Sequence, residues 1–395
     1  MNDEPQLDAV EEPATRAKPP RSAWRHWTRH SVKLAAVLLL TPLVIAMIVA
    51  IAILDRDITA PSWIKSRVEA TAGDFLSGGA LNFGEVTVNL GRDLHPRVTL
   101  RETTLTDAAG TTVARIPVVR GLMSPRGLVL QGEALMQDVQ LSGAQINLRR
   151  NADGTVALAF QTGGQDVGQA GSFAELLDQV DQAFEQPALA ALETIRADGL
   201  IVNYQDARAG KAWTVDGGQI NLDLRDDQTD LRGAFSVLSG GAGVTDLALT
   251  YNSPRGSRAA DFGVNVTDAF ASDIAAQSAA LSWMADINAP ISLTLRTVMD
   301  EAGALGPLNA TLALGQGALQ PNAATEPIRF DAAKAYLNFD PATQTISFDQ
   351  IEVSSDWGNL RANGQAFLKD IEDGLPQSLV GQFSFADTLL NPPGL

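Results

Sequence analysis

Residues 195–224 read IRADGLIVNYQDARAGKAWTVDGGQINLDL. Leu200, Val202 and Tyr204 sit two apart, and so do Ile220, Leu222 and Leu224. Side chains of a β-strand point alternately to opposite faces, so apolar residues at every second position mark a strand with one buried face. Asp216-Gly217-Gly218 is a turn signal. The same strand-turn-strand pattern recurs in DVQLSGAQINLRRNADGTVALAF (138–160) and IRFDAAKAYLNFDPATQTISFDQIEV (328–353). Such a weak repeat predicts stacked hairpins, each touching mainly its neighbours.

Working outward, the alternation covers most of the chain. Val86 and Val88, Val98 and Leu100, Ile146 and Leu148, and Val156, Leu158 and Phe160 obey it. So do Leu247 and Leu249, Phe262, Val264 and Val266, Leu293 and Leu295, Ile346 and Phe348, and Phe383 and Phe385. Asp107 to Gly110, Asp153-Gly154 and Asp340-Pro341 supply further turns. The expected fold is mainly β, an elongated, antiparallel and strongly curved sheet with a few amphipathic helices.

Helical spacing appears in three places. Ser62 to Leu76 follows Pro61, with Ile64, Val68 and Phe75 on one side. Ser172 to Arg196 carries Phe173, Leu176, Leu177, Val180 and Phe184, then Leu189, Leu192 and Ile195. Asp268 to Met284 carries Phe270, Ile274 and Leu281. Helices of this kind cover a sheet edge or cap an open end. The polar faces of the second and third lack the Lys and Arg of lipid-surface helices.

Near the N-terminus, LAAVLLLTPLVIAMIVAIAIL (34–54) has no charged residue. At 1.5 Å per residue a helix of that length spans about 30 Å, a bilayer core. Signal-peptide cores are shorter, about 7–15 residues. Leu34, Leu40, Ile45, Ile48, Ile51 and Leu54 are the expected anchor residues. Arg16, Lys18, Arg21, Arg25, Arg29 and Lys33 precede the segment, so the positive-inside rule keeps the N-terminus cytoplasmic.

Composition narrows the function. The chain has 395 residues, 45% of them hydrophobic, and a net charge of −17. Nucleic acid is an unsuitable partner for so acidic a chain. Six of the 29 basic and five of the 46 acidic residues precede residue 55, so the remainder carries a net charge of −18. Such a surface is repelled by anionic headgroups. There is no Cys, hence no disulfide and no thiol chemistry. Of three His, only His95 lies beyond the apolar segment, in an expected turn before Pro96. No metal motif or phosphate loop occurs. Asp223, Asp226, Asp227 and Asp230 lack the Gly and Glu of a calcium loop and read as a solvated turn. The expectation is a non-enzyme without cofactor or metal.

One resemblance adds to these readings. The basic tail and apolar segment lead into LDRDITAPSWIKSRVEATAGDFLSGGALNFGEVTVNLGRDLHPRVTLRETTLTDAAG (54–110). VVRGLMSPRGLVLQGEALMQDVQLSGAQINLRRNADG (118–154) follows. In this order the set resembles the AsmA-like family, and within it the YhdP-type proteins anchored in the inner membrane of Gram-negative bacteria. The resemblance implies a periplasmic body with a long apolar groove that binds or conducts phospholipids between inner and outer membrane. It implies a role in outer-membrane homeostasis. Family members of this type are much longer, so the chain is expected to be a fragment.

The expected organisation is a cytoplasmic basic tail (1–33), disordered at its start, a transmembrane helix (34–54) and a juxtamembrane helix (55–79). A first β section (80–165), a helical insert (166–198), a second β section (199–266), a helix (267–286) and an incomplete third β section (287–395) follow. The expected groove lining is Val86, Val88, Val98, Leu100, Ile146, Leu148, Val156, Leu158, Phe160, Val202, Leu222, Leu224, Leu247, Leu249, Val264, Leu293, Leu295 and Phe348. Alternation fits a filled sandwich equally well; the resemblance favours the groove. Two other functions remain open: a scaffold for outer-membrane protein assembly that pairs strand edges, and a periplasmic enzyme on envelope polymers.

Overall fold

The computed structural model describes residues 56–63, 65–66, 69, 80–106, 110, 112–127, 130, 133, 135–150, 156–157, 161–162, 165–166, 189, 191–207, 210–225, 227–239, 243–276, 279–322, 324–372 and 375–390, with Thr41, Val44 and Ile45 before them. The chain divides into two compact units, Met1–Leu54 and Asp55–Leu395. In the first, Thr41, Val44 and Ile45 are helical and exposed. The rest of the expected membrane span, with Leu34, Leu40, Ile48, Ile51 and Leu54, lies outside the described residues. No helix among the described residues is long and apolar enough to cross a membrane.

The second unit is mainly β. Its first strands are β1 (Ile58–Thr59), β2 (Ala80–Asn82), β3 (Glu85–Leu90), β4 (Pro96–Thr106), β5 (Thr112–Met123), β6 (Met136–Ser142) and β7 (Gln145–Arg150). Short strands β8 (Val156–Ala157), β9 (Gln161–Thr162) and β10 (Gln165–Asp166) come next. The meander resumes with β11 (Thr194–Asp206), β12 (Lys211–Asp223), β13 (Gln228–Leu238), β14 (Thr245–Pro254) and β15 (Ala260–Phe270). It ends with β16 (Ile287–Asn288), β17 (Pro290–Met299), β18 (Leu308–Leu314), β19 (Gly317–Leu319), β20 (Ile328–Phe330), β21 (Ala332–Asp340), β22 (Thr345–Ser355), β23 (Gly358–Glu372) and β24 (Leu375–Leu390).

Pairing follows chain order. β1 pairs with β3, and β2 and β3 share one side of β4. Then come β5, the bent strand β6–β7, and β11 to β15 in turn. β17, β18 and β21 to β24 complete the series. The small strands β16, β19 and β20 form a separate sheet beside it.

Every junction in the large sheet is antiparallel but one. β11 runs parallel to β6 and β7, with Thr194 opposite Asp138 and Val202 opposite Ile146. The expected all-antiparallel sheet is therefore corrected to a mixed one. The chain between Arg150 and Thr194 crosses over, so β11 re-enters in the same direction as β7. The strand also begins at Thr194, inside the segment read as helical. Ile195 alternates with Ala197 and pairs with Val139 and Leu222, and this pairing outweighs its helical spacing with Leu192.

An open sheet of this width must curl or split, and this one is curved. Glycines and bulges supply the bends. Gly199 and Gly217 take positive φ in facing bulges of β11 and β12. Gly233 and Gly364 lie mid-strand. A Cβ on Gly233 would come within 2.7 Å of the Phe235 ring, and one on Gly364 within 2.6 Å of the Phe383 ring. Each ring lies over a bare stretch of backbone and replaces the missing side chain.

The helix expected over 267–286 is divided. Asp268 to Phe270 still belong to β15, since Ala269 pairs with Ile291 and Phe270 with Pro290. A single turn of helix (Ala271–Ala275) follows without a side-chain cap, then a 3₁₀ segment (Ala279–Asp286). Together they form a strap. Ala271, Ala275 and Met284 pack on Ile291, with Leu312 and Leu314 alongside, and the 3₁₀ segment also touches β24. A second core sits at the start of the sheet. There Phe83, Val86 and Val98 pack with Leu81, Val88 and Leu100, and Leu81 also joins Leu105, Ala114 and Ile146. Ser62, Trp63, Lys65, Ser66 and Glu69 are helical, and Lys65 hydrogen-bonds the Gly84 carbonyl oxygen at 3.4 Å.

Candidate binding face

Directly opposed residues in a ladder share a face. One such row can be followed strand by strand across the unit. It runs Val86, Leu100, Val119, Leu141 and Ala197. It continues through Ile220, Gly233, Leu249, Val264 and Leu295. It ends with Ala310, Leu337, Phe348, Gly364 and Phe383. Fifteen strands contribute one residue each, and none is polar. At about 4.8 Å per strand the row measures about 67 Å.

Rows beside it extend the apolar surface. Ile195, Leu222, Leu231, Tyr251 and Phe262 form one, Phe235, Leu247, Val266, Leu293 and Leu312 another. Aromatic pairs stud the surface: Tyr204 stacks on Trp213 at 5.6 Å between centroids, and Tyr251 meets Phe262 at 5.1 Å. Phe348 meets Phe383 at 5.4 Å above Gly364.

The residues one step along each strand face the other way, and that row is polar but for Gly263. It holds Thr87, Thr99, Arg120, Gln140, Arg196, Asn221 and Arg232. Thr250, Gly263, Arg296, Asn309, Asn338, Ser347, Gln365 and Gln382 continue it. The next polar row contains Asp138, Thr194, Asp223 and Asp230. Arg225 hydrogen-bonds Asp223 through its side chain and its own N–H, holding that carboxyl well below the usual range, at about 2. Ser236 and Asn252 donate to Asp246 and Asp230. One face is thus solvated and charged; the other is apolar in its central rows, with Thr229, Ser253 and Thr297 at one margin.

The apolar face is only partly covered. A filled core would bury its central leucines fully. Here Leu222, Leu247, Leu249, Val264, Leu293 and Leu295 are half-buried. The fully buried positions of the row are Val86, in the core at the start of the sheet, and the small residues Ala197, Gly233 and Ala310. Among the described residues, the two apolar cores lie on either side of β12–β14, and the strap reaches those strands at Lys211, the start of β12.

The structure brings most of the expected lining onto this face. Val86, Val88, Val98, Leu100, Ile146 and Leu148 lie at its start. Val202, Leu222, Leu247, Leu249, Val264, Leu293, Leu295 and Phe348 lie further along. Leu224, buried just past β12, follows Leu222 in alternation. Val156 pairs with Arg150 at the short β8, and Leu158 and Phe160 lie outside the described residues. Phe235 and Trp213 belong to the face but escaped the sequence reading. Gly233 interrupts the alternation around Phe235, and Trp213 stands alone beside Ala212. His95 lies in a turn, its Nδ1 3.0 Å from the Asp93 carbonyl oxygen. Among the described residues no cluster of His or carboxylates could hold a metal.

No protein family, curated protein or solved structure matches the chain.

Proposed function

We propose that this chain is an inner-membrane-anchored, AsmA-like protein of YhdP type whose periplasmic sheet binds phospholipid acyl chains in an open groove. The observation that carries this reading is the fifteen-strand apolar row with half-buried leucines at its centre. Each CH₂ withdrawn from water contributes about 0.8 kcal/mol, so a row about 67 Å long can hold several acyl chains end to end. The charged face remains in solvent, and headgroups follow the rim of the groove. Continuous grooves of this kind suit passage of lipid along the strands' stacking direction, from inner towards outer membrane.

Native mass spectrometry of the detergent-purified chain tests the reading. Phospholipid adducts that survive collisional removal of detergent are expected. A bare protein mass after extraction from lipid-rich membranes would overturn it.

A second reading is favoured by β24. From Pro376 to Ala386 this outer strand carries no charge, and Val380 and Phe385 are exposed. Edges lacking charge invite another strand. A scaffold that pairs with outer-membrane protein segments would use this edge, and capture of an extended peptide by a lipid-free chain would favour it.

A further inference from the structure

Leu94 occupies an improbable position. It sits in the Gly91–His95 turn between β3 and β4 at φ +60°. Left-handed turn positions favour Gly or Asn. The other non-glycine residues with positive φ are Glu102, Asp227, Asp268, Gln344 and Asp370, all polar. Leu94 is also 61% exposed. The turn itself is firmly built. The Leu94 N–H donates to the Gly91 carbonyl oxygen at 2.9 Å, and the Gly91 N–H to that of His95 at 3.2 Å. Arg97 holds the Asp93 carboxylate at 2.7 Å. A strained backbone thus holds a leucine out into solvent.

Two further observations say what meets it. The connection from β5 to β6 lies at the same rim, since Arg97 pairs with Leu122. That connection carries Leu130, 79% exposed and the most exposed large apolar residue described. The second observation is the direction of chain entry. β1 is antiparallel to β3, with Ile58 opposite Val88 and Asp57 bonded to Asn89 at 3.0 Å. Read backwards from Ile58, the chain therefore runs towards the Gly91–His95 turn. Leu54, the end of the uncharged segment, is two residues before Arg56, at most about 7 Å by chain geometry. Arg56 and Asp57, the described residues that follow the uncharged segment, therefore lie on the side of the sheet where Leu94 stands.

We propose that the Gly91–His95 turn is a membrane-contacting tip. Leu94, aided by Leu130, enters the bilayer surface, with the Arg97–Asp93 pair behind it at headgroup level. The tip would hold the first strands of the apolar face against the leaflet from which lipid is drawn. This deepens the proposed function and rests on its anchor.

The chain has no cysteine, so a single Leu94→Cys substitution takes one fluorescent label. The full chain is reconstituted in vesicles of phosphatidylethanolamine and phosphatidylglycerol containing a tail-nitroxide lipid. A label at Thr112→Cys, exposed at the opposite end of β5, serves as reference. The label at 94 is expected to be quenched by the nitroxide and shielded from aqueous iodide, and the reference label the reverse. A Leu130→Cys label repeats the measurement should the first variant fold poorly. Equal iodide quenching at 94, 130 and 112 without nitroxide quenching overturns the proposal. A chain that alkaline carbonate strips from the vesicles overturns the anchor and, with it, the tip. Lipid adducts in native mass spectrometry then report separately on the groove.

Discussion

Lys211 at the start of β12 bonds Asp273 of the strap, 62 residues further along the chain. Its Nζ also donates to the Ser272 carbonyl oxygen at 3.0 Å. β13, β14 and β15 lie between the two in the sheet, so the strap folds back over the curved rim towards β12. Lys211→Ala removes a partly buried, charge-assisted contact worth about 1 kcal/mol. The expected result is faster proteolysis within 271–286 with little change in Tm. Unchanged cleavage would show that the Met284 and Ile291 packing alone holds the strap.

Leu222 and Leu249 test the apolar face. A carboxylate at either site remains solvated on a half-covered surface, so the double variant Leu222→Asp/Leu249→Asp should fold and give a β circular-dichroism spectrum. It should lose bound phospholipid, because a charge facing acyl chains costs several kcal/mol. Retained lipid with a native spectrum would move the binding site elsewhere.

Gly364 tests the curvature. A Cβ there would sit 2.3 Å from the Gln382 carbonyl oxygen and 2.8 Å from the Phe383 Cα. Backbone cannot yield cheaply, so Gly364→Ala should cost about 2–4 kcal/mol and release β24 first. Hydrogen exchange along 375–390 should accelerate well beyond that of β12–β14.

Asp223 sets an acid limit locally. Its folded pKa lies below the unfolded value, so its contribution is complete above about pH 4 and is lost as pH falls through about 2. Asp223→Asn should lower Tm slightly at pH 7, by the amount the wild-type chain loses on acidification, and that amount is small because the pair is exposed. It should flatten the fall of Tm between those limits. A fall of equal steepness in the variant would assign acid unfolding to other carboxylates.

Much of the sheet was legible in the sequence because each strand buries one face. Leu247, Leu249 and Tyr251 announce β14 unaided, and Ile220, Leu222 and Leu224 announce the end of β12. The parallel junction was not legible: Ile195 and Ala197 look the same whichever neighbour they pair with. The division of the 267–286 helix was also hidden, since Phe270 and Ile274 carry helical spacing while Ala269 is committed to Ile291. Trp213 and Phe235 show a third limit. Glycine at an apolar position reads as a break in the pattern, yet a neighbouring ring fills the space above Gly233.

The single parallel junction also divides the order of events in folding. Strand pairs on either side of it are closed by nearby chain, the kind of contact that forms quickly. Val202 meets Ile146 only after the whole stretch from Arg150 to Thr194 has been looped out. Residues 80–150 and 194–390 should therefore gain protection as two separate blocks in pulsed hydrogen exchange, with β11 docking onto β6 and β7 last. During synthesis from the N-terminus the first block is complete before the second has emerged, leaving the parallel edge of β7 waiting for its partner.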